Sequence, residues 1–569
     1  MKRILLLCLL FLGLASSLRA EDSLKLDFRY ENVPEKQQFL GDIVQTRIAE
    51  RSAGGILALT FRIDAGALDP EEFTLEENGE TRTATITAGS FRGLVFGAGA
   101  FLRSLDYGVD SFGIPTLSLR EKPNLPFRAC YFARHFHNWY HMADAAELER
   151  YVEDLALWGF NTIAVIMVPC INLDLDPTAQ DWKDAVAGAK VIRSSAKRLD
   201  LTFVAMGGSN SVTRDMPKEL AATPNIDPRR GNNGFNACPS KPGGLEFIDK
   251  KTRAVCGSFA GELADYICFW PFDEGGCECE KCGPWATNGY LKISAHNTEM
   301  IRDEFAPDVR FILSTWTYHE DEFETTWEWV KDHPEIEYVL ADSHTDFPRY
   351  PLEHPLPPGH KLITFPEISM WGRFPWGGYG STPLPGRFTN LWSQVRGHVD
   401  GCIQYSEGPF EDINKITVGR FYYGDIDADQ TLREYAKYEL CGTDPDDFVN
   451  LCHTLERIHV IQDPPPPEYK TDATTAMKLA MKIDSEILPS LRNCLRWRQF
   501  YCRCLLEYEY NVHGTRNTQT YADAIQELIK LYHVDRFPEG VIDEMHGCTS
   551  PQMPDGEIQS FPRPEEELK

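Results

Sequence analysis

Two adjacent acids, Asp273 and Glu274, close the apolar run from Tyr266 to Phe272, and Gly275-Gly276 follow them. A carboxyl held protonated at such a position can act as general acid, while a second carboxylate orients, stabilises or accepts a proton. Neighbouring side chains of a strand point to opposite faces, so the two acids are expected to divide those roles. Taken alone, the pair also suits an ordinary loop start ahead of a glycine turn. Three more acids end apolar runs: Asp342 after Tyr338-Val339-Leu340-Ala341, Glu367 after Leu362 to Pro366, and Glu407 after Cys402 to Ser406. The candidate catalytic set is Glu274, Asp273, Glu367 and Asp342. Aromatic surface from Trp270 and Phe272 would favour the protonated form of Glu274 by desolvation, which suits the acid.

The run from Phe127 to Phe132 leads into His135-Phe136-His137-Asn138-Trp139-Tyr140. Amide and imidazole groups beside aromatic plates suit a ligand with hydroxyls at its rim and apolar C–H faces, as a sugar has. The same residues also suit a plug of aromatics with hydrogen-bonded histidines. Trp316, Tyr318, His344, Trp371, Trp376 and Tyr405 lie at or just after other run ends. The candidate substrate-binding set is therefore His135, His137, Asn138, Trp316, Tyr318, His344, Trp371, Tyr405 and Glu407. His135, His137, Asp342 and His344 also keep a metal-dependent hydrolase open.

Cys277-Glu278-Cys279-Glu280-Lys281-Cys282 follows the acid pair directly. A zinc site is one reading, with Cys238, Cys268 or His296 as fourth ligand. For an exported chain the expectation is a disulfide staple instead, fixing the loop that carries Asp273 and Glu274. Neither reading makes these cysteines catalytic, and no metal or cofactor is assigned to the reaction.

Eight strand-like runs position these residues: Phe127 to Phe132, Asn161 to Val168, Leu201 to Met206, Tyr266 to Phe272, Val309 to Ser314, Ile336 to Ala341, Lys361 to Phe365 and Gly401 to Tyr405. Between the first two, Leu148, Tyr151, Val152, Leu155 and Trp158 recur at helical spacing over Ala145 to Trp158. The alternation predicts an α/β fold, a (β/α)8 TIM barrel over residues 121–410 whose site lies at the C-terminal strand ends. Residues 21–120 read as a small N-terminal α+β domain with β-type runs Gly55 to Arg62 and Thr81 to Ala88 and a helix from Phe91 to Tyr107. The glycines in Arg92 to Gly99 match neither dinucleotide nor P-loop spacing and are read as close-packing positions. Residues 411–535 read as helical, with runs Thr431 to Leu440, Asp444 to Ile461, Asp472 to Leu488, Leu491 to Tyr510 and Thr518 to Tyr532, and residues 536–569 as an irregular tail.

Lys2 and Arg3 precede the apolar stretch Ile4 to Leu14 and small residues up to Ala20, the layout of a signal peptide over residues 1–20. The expectation is a secreted or periplasmic protein without membrane insertion. Loss of the leader removes three positive charges and takes the formal charge from −28 to −31, which disfavours nucleic acid and anionic membrane as partners. Of sixteen cysteines, all but Cys8 lie beyond the leader.

Arg92-Gly93-Leu94, Pro126-Phe127-Arg128, Trp158-Gly159-Phe160-Asn161 and the Asp273-Glu274 pair resemble secreted barrel glycosidases related to the β-hexosaminidases of glycoside hydrolase family 20 and the α-glucuronidases of family 67. The resemblance implies an exo-acting glycosidase acting on a carbohydrate. The family 20 pattern would make Glu274 the acid and Asp273 the residue that orients a substrate acetamide. The family 67 pattern would pair Glu274 with Asp342 or Glu367 as base. Here Trp270-Pro271-Phe272 precedes the pair and the glycines follow it, unlike the family 20 His-x-Gly-Gly run, so the sugar stays open. A barrel that binds glycans without cleaving them is the alternative.

Overall fold

The computed structural model describes residues 24–568 except 135–137, 228–229, 231–233, 274, 342–345, 369–380, 407, 461 and 537–553. Eight parallel strands close into a barrel in chain order: Phe127–Phe132, Thr162–Ile166, Thr202–Gly208, Tyr266–Trp270, Arg310–Ser314, Ile336–Leu340, Lys361–Thr364 and Gly401–Ser406. The eighth pairs back on the first, from Gly401 with Phe127 to Ser406 with Phe132. Every residue of the first and second strands is buried. Covered on both faces, such strands read as continuous apolar runs, which is why their positions were visible in the sequence.

Alternate strand residues fill the barrel. Phe127, Ala129 and Tyr131, with Ala164, Ile166, Val204, Met206, Cys268, Ile312, Tyr338, Leu340, Ile363 and Ile403, form an inner cluster distinct from the outer core. Outside it, the helix Ala145–Leu157 is started by a capping box in which the Asp144 carboxylate accepts from the Glu147 amide at 2.9 Å and the Glu147 carboxylate accepts from the Asp144 amide at 2.9 Å. It buries Leu148, Tyr151, Val152 and Leu155. No helix among the described residues is long and apolar enough to cross a membrane.

Residues 24–121 form a five-stranded sheet in the order Leu24–Glu31, Gly55–Ile63, Thr83–Ala88, Phe73–Asn78, Leu117–Glu121. The first three strands are parallel and the last two pair antiparallel. The helix Phe91–Ser104 lies on this sheet, capped by Ser90. A Cβ on Gly97 would sit 2.4 Å from Ile86 Cγ2 and one on Gly99 1.8 Å from the Leu157 carbonyl, so these glycines let the helix press against sheet and barrel at once. The junction below the barrel is polar. Arg128 bonds Glu71 at 2.7 Å, while Asn161 donates to Glu71 at 2.9 Å and accepts from the Arg128 amide at 2.9 Å. The Pro-Phe-Arg and Trp-Gly-Phe-Asn motifs thus serve the N-terminal face of the barrel, away from its mouth.

After the eighth strand come helices Asp412–Gly424, Ala428–Glu439, Pro445–Arg457, Tyr469–Glu486, Leu495–His513 and Gln519–Leu531. The first of these was not expected. Ile413 through Tyr423 are buried on every side, so it shows no polar face and no helical periodicity to read. Residues 554–563 are irregular yet docked: Phe561 stacks on His513 at 4.1 Å, and in the short helix that follows Glu565 accepts from Tyr501 at 2.6 Å.

Candidate active site

At the C-terminal mouth a cluster of mutually tilted aromatic rings, the aromatic plate, spans the barrel. Trp270, the last residue of the fourth strand, lies 5.3 Å from Trp316 and 4.9 Å from Phe365 between ring centres. Phe365 continues to Tyr405 at 5.8 Å, and Tyr405 to Tyr131 at 5.7 Å. Trp316 and Phe365 are 3% and 2% exposed and act as the plug, while Trp270 and Tyr405 are half-buried and present surface above it. Loops from the fourth and seventh strands therefore leave from side chains in direct contact across the mouth.

Glu367 stands two residues beyond Phe365. The chain there keeps pairing with the eighth strand: the Tyr405 amide donates to the Pro366 carbonyl at 3.1 Å and the Ile368 amide to the Tyr405 carbonyl at 3.2 Å. Ile363 and Phe365 both face the barrel interior. Strand alternation then puts the half-buried Glu367 on that same face, above the plate.

Asp273 is exposed and adopts φ 68°, a left-handed conformation uncommon for a residue other than glycine. The backbone has left the extended region before the acid pair, so simple strand alternation does not set the direction of Asp273. Such a residue costs about 1–3 kcal/mol and persists only where its surroundings over-determine it. The surroundings here are specific. The Asp273 amide donates to the Arg230 carbonyl at 3.2 Å, and Trp285 Nε1 to the Pro271 carbonyl at 2.6 Å. Asn210 both donates to the Gly276 carbonyl and accepts from its amide, each at 2.9 Å. A Cβ on Gly275 would stand 2.5 Å from the Pro271 carbonyl. Phe272 is fully buried beneath the Arg230 guanidinium, 4.2 Å from its ring centre, and Arg230 pairs with buried Glu322 at 3.0 Å.

Asn210, Arg230, Trp285 and Glu322 were not singled out in the sequence. Asn210 carried a readable signal, since Gly207-Gly208-Ser209-Asn210 is a polar strand end after the third strand. Arg230 and Glu322 carried none as a pair, because Arg230 sits in the segment after the third strand and Glu322 in the first turn of the helix Glu320–Val330, 92 residues apart, and they meet only in the folded chain.

The other candidates are distributed unevenly. Asn138 is fully buried and donates to the Ala133 carbonyl at 2.6 Å. Tyr318 lies behind the acid-bearing loop, its ring 6.4 Å from Phe272 and 5.4 Å from Phe323 and its hydroxyl on the Ala286 carbonyl at 3.0 Å. Trp316 and Tyr405 belong to the plate. Glu274, Asp342, Glu407, His135, His137, His344, Trp371 and Trp376 lie outside the described residues. An apolar cavity of about 100 Å³ lies between the C-terminal parts of the second to fourth strands and the helices Gly244–Ser258 and Tyr290–Glu304; no carboxylate is among its described lining residues.

Support comes from below as well. Lys415 is fully buried and donates to Tyr140 at 2.9 Å and to the Gly408 carbonyl, while Tyr140 and Ser406 share a hydrogen bond of 2.6 Å at the end of the eighth strand. Burial pushes the Lys415 ammonium below its usual range. The expected disulfide staple is corrected: none of the fourteen described cysteines is in a disulfide. Of the fourth-ligand candidates, Cys268 faces the barrel interior and His296 is 2.7 Å from Asp249, whereas Cys238 joins Cys277, Cys279 and Cys282.

No family model matches the sequence, and no curated protein is similar to it at sequence level. Solved structures are similar in fold. A family 89 glycoside hydrolase from Clostridium perfringens, in complex with its substrate GlcNAc-α-1,4-galactose, superposes with TM-score 0.58 at 14% identity over 87% of this chain and 64% of that one. A family 138 enzyme targeting pectin rhamnogalacturonan II gives 0.54 at 9% identity, covering 89% and 72%. A family 20 exo-β-N-acetylglucosaminidase from Vibrio harveyi gives 0.50 at 11% identity, covering 73% and 74%. The chain thus has the (β/α)8 fold on which these glycoside hydrolases are built.

Proposed function

We propose that this protein is a glycoside hydrolase whose site is the C-terminal mouth of the barrel. The observation that supports the reading is the contact of Trp270 with Phe365, 4.9 Å between ring centres, at the strand ends from which the segments bearing Asp273 and Glu367 depart. The ring surface left open at half-buried Trp270 and Tyr405 suits the apolar face of a sugar ring, and carboxylates nearby suit hydroxyl recognition and proton transfer. Glu274 is the general acid in this reading. Asp273 orients the substrate, or Glu367 or Asp342 supplies the second carboxylate. A spacing of about 5–5.5 Å between the two working carboxyls would give retention, and about 6.5–9.5 Å inversion. The substrate is an N-acetylhexosaminide or a glucuronide attacked from its end, and the enzyme is exported. The likeness to hydrolases of N-acetylglucosamine-containing sugars supports the first of these classes.

The test is a panel of aryl N-acetylhexosaminides and glucuronides given to wild type and Glu274→Gln. The variant should lose about 10²–10⁴ in rate on poor leaving groups and much less on activated ones. Absence of turnover on every glycoside, with retained glycan binding, would instead select the non-catalytic barrel.

A further inference from the structure

Beside the acid-bearing loop four sulfurs converge. Cys277, Cys279 and Cys282 follow the fourth strand, and Cys238 arrives from the long segment after the third. Their Sγ atoms all lie within 4.8 Å of one another, with Cys238 3.7 Å from Cys279 and 3.9 Å from Cys282. A disulfide would need about 2.05 Å. Four thiolates placed about 2.3 Å from a central Zn²⁺ in a tetrahedron stand about 3.8 Å apart, matching the separations of Cys238 from Cys279 and Cys282.

The surroundings match as well. The Thr223 amide donates to Cys277 Sγ at 3.4 Å, and Ser240 Oγ lies 3.1 Å from Cys282 Sγ, the kind of outer hydrogen bond that supports a thiolate ligand. Amides of Cys282 and Gly283 both reach the Cys279 carbonyl, at 3.0 and 2.8 Å, closing the Cys-x-x-Cys turn. Glu278 is engaged by Asn225 at 2.8 Å. Cys238, Cys277 and Cys282 are buried and Cys279 is half-buried, so water has little access.

We propose that Cys238, Cys277, Cys279 and Cys282 bind one Zn²⁺ as a closed structural site. Binding forms four Zn–S bonds and releases the four thiol protons to solvent. With four protein ligands the ion keeps no open position and takes no part in the hydrolysis. Its work is to join the segment after the third strand to the loop after the fourth, the same two segments that Asn210 holds together at Gly276. The proposal stands independently of the hydrolase reading, because metal content and coordination are measured without activity.

The full-length chain, dialysed without added metal, should contain one zinc per molecule by elemental analysis. X-ray absorption at the zinc edge should show a sulfur-only shell near ~2.3 Å. Zinc-stripped protein should melt roughly 5 °C or more lower and recover on adding zinc alone. Cys238→Ser should reduce the zinc content, whereas Cys170→Ser, outside the cluster, should keep it. Zinc absent, iron in its place, or a disulfide mapped by mass spectrometry between any two of the four in protein purified without reductant would overturn the proposal. The absorption and mapping measurements use wild type, so a variant that does not fold leaves the test intact.

Discussion

Asp273 combines a carboxylate with φ 68°, and these two properties can be separated by substitution. Asparagine tolerates the left-handed region and a β-branched residue does not. Asp273→Asn should therefore keep the wild-type melting temperature while changing activity, and Asp273→Val should lower both. If Asp273 orients an acetamide, Asp273→Asn abolishes turnover of N-acetylated sugars and Glu367→Gln keeps most of the rate. If Glu367 is the base, the order reverses and azide restores turnover to Glu367→Ala with inverted product. Glu367 is the favoured base because its strand pairing carries it onto the face of Ile363 and Phe365.

At the scale of elements, the loop after the fourth strand is held by a buried ion pair from outside itself. Replacing Glu322 with alanine leaves the Arg230 guanidinium buried over Phe272 without its carboxylate. Loss of one partner of such a pair costs about 3–5 kcal/mol. Glu322→Ala should show that loss in chemical denaturation and should also reduce kcat, since the Arg230 carbonyl receives the Asp273 amide. A normal kcat with lowered stability would separate Arg230 from the site. In the N-terminal sheet, Glu77 is a different kind of buried acid. Burial, the largest effect, pushes its carboxyl up to about 7, and Asp106 adds to this against the Ser104 hydroxyl and Lys437. One oxygen accepts from Ser104 at 2.7 Å, and the other has no partner among the described residues. The fold holds a proton that the unfolded chain releases near ~4.3. This contribution to stability is complete below that value and is lost as pH rises toward about 7. Glu77→Gln should flatten the fall in melting temperature over that window and melt higher than wild type at pH 8; parallel pH profiles would refute this.

Across the whole molecule a buried charge network ties the N-terminal helix Leu40–Ala49, the barrel and the C-terminal helices together. Arg47 pairs with Asp154 at 2.9 Å, Asp154 with Arg496 at 3.0 Å, and Arg496 with Asp412 at 2.7 Å. Arg51 pairs with Glu439 at 3.0 Å, and Trp158 donates to the same carboxylate at 3.0 Å. Burial, the largest single effect, would raise the Asp412 carboxyl, but Arg496 together with Lys415 and the Tyr151 hydroxyl holds it below its ordinary value. Charges shared among three parts of the fold predict that these parts do not melt separately. Asp412→Asn should lower stability by about 3 kcal/mol and shift secondary- and tertiary-structure signals together. Two resolved transitions would show that the helices are only an appendage.

The sequence alone determined the barrel, because strands covered on both faces must be apolar throughout and so declare themselves against amphipathic helices. All eight strand positions agree with the expected runs to within two residues. It also placed Asp273 and Glu367 at strand ends, since a carboxylate closing an apolar run has few other places to go. It did not reveal the helix Asp412–Gly424, whose burial on all sides erases periodicity. Nor did it reveal that Trp270 meets Phe365, that Arg230 and Glu322 brace the acid loop, or which cysteine completes the sulfur cluster. Those are pairings between distant segments, and local propensity holds no information about them. Closure of the barrel decides which strand ends face one another, and only the folded chain brings Cys238 across from the third strand to three cysteines after the fourth.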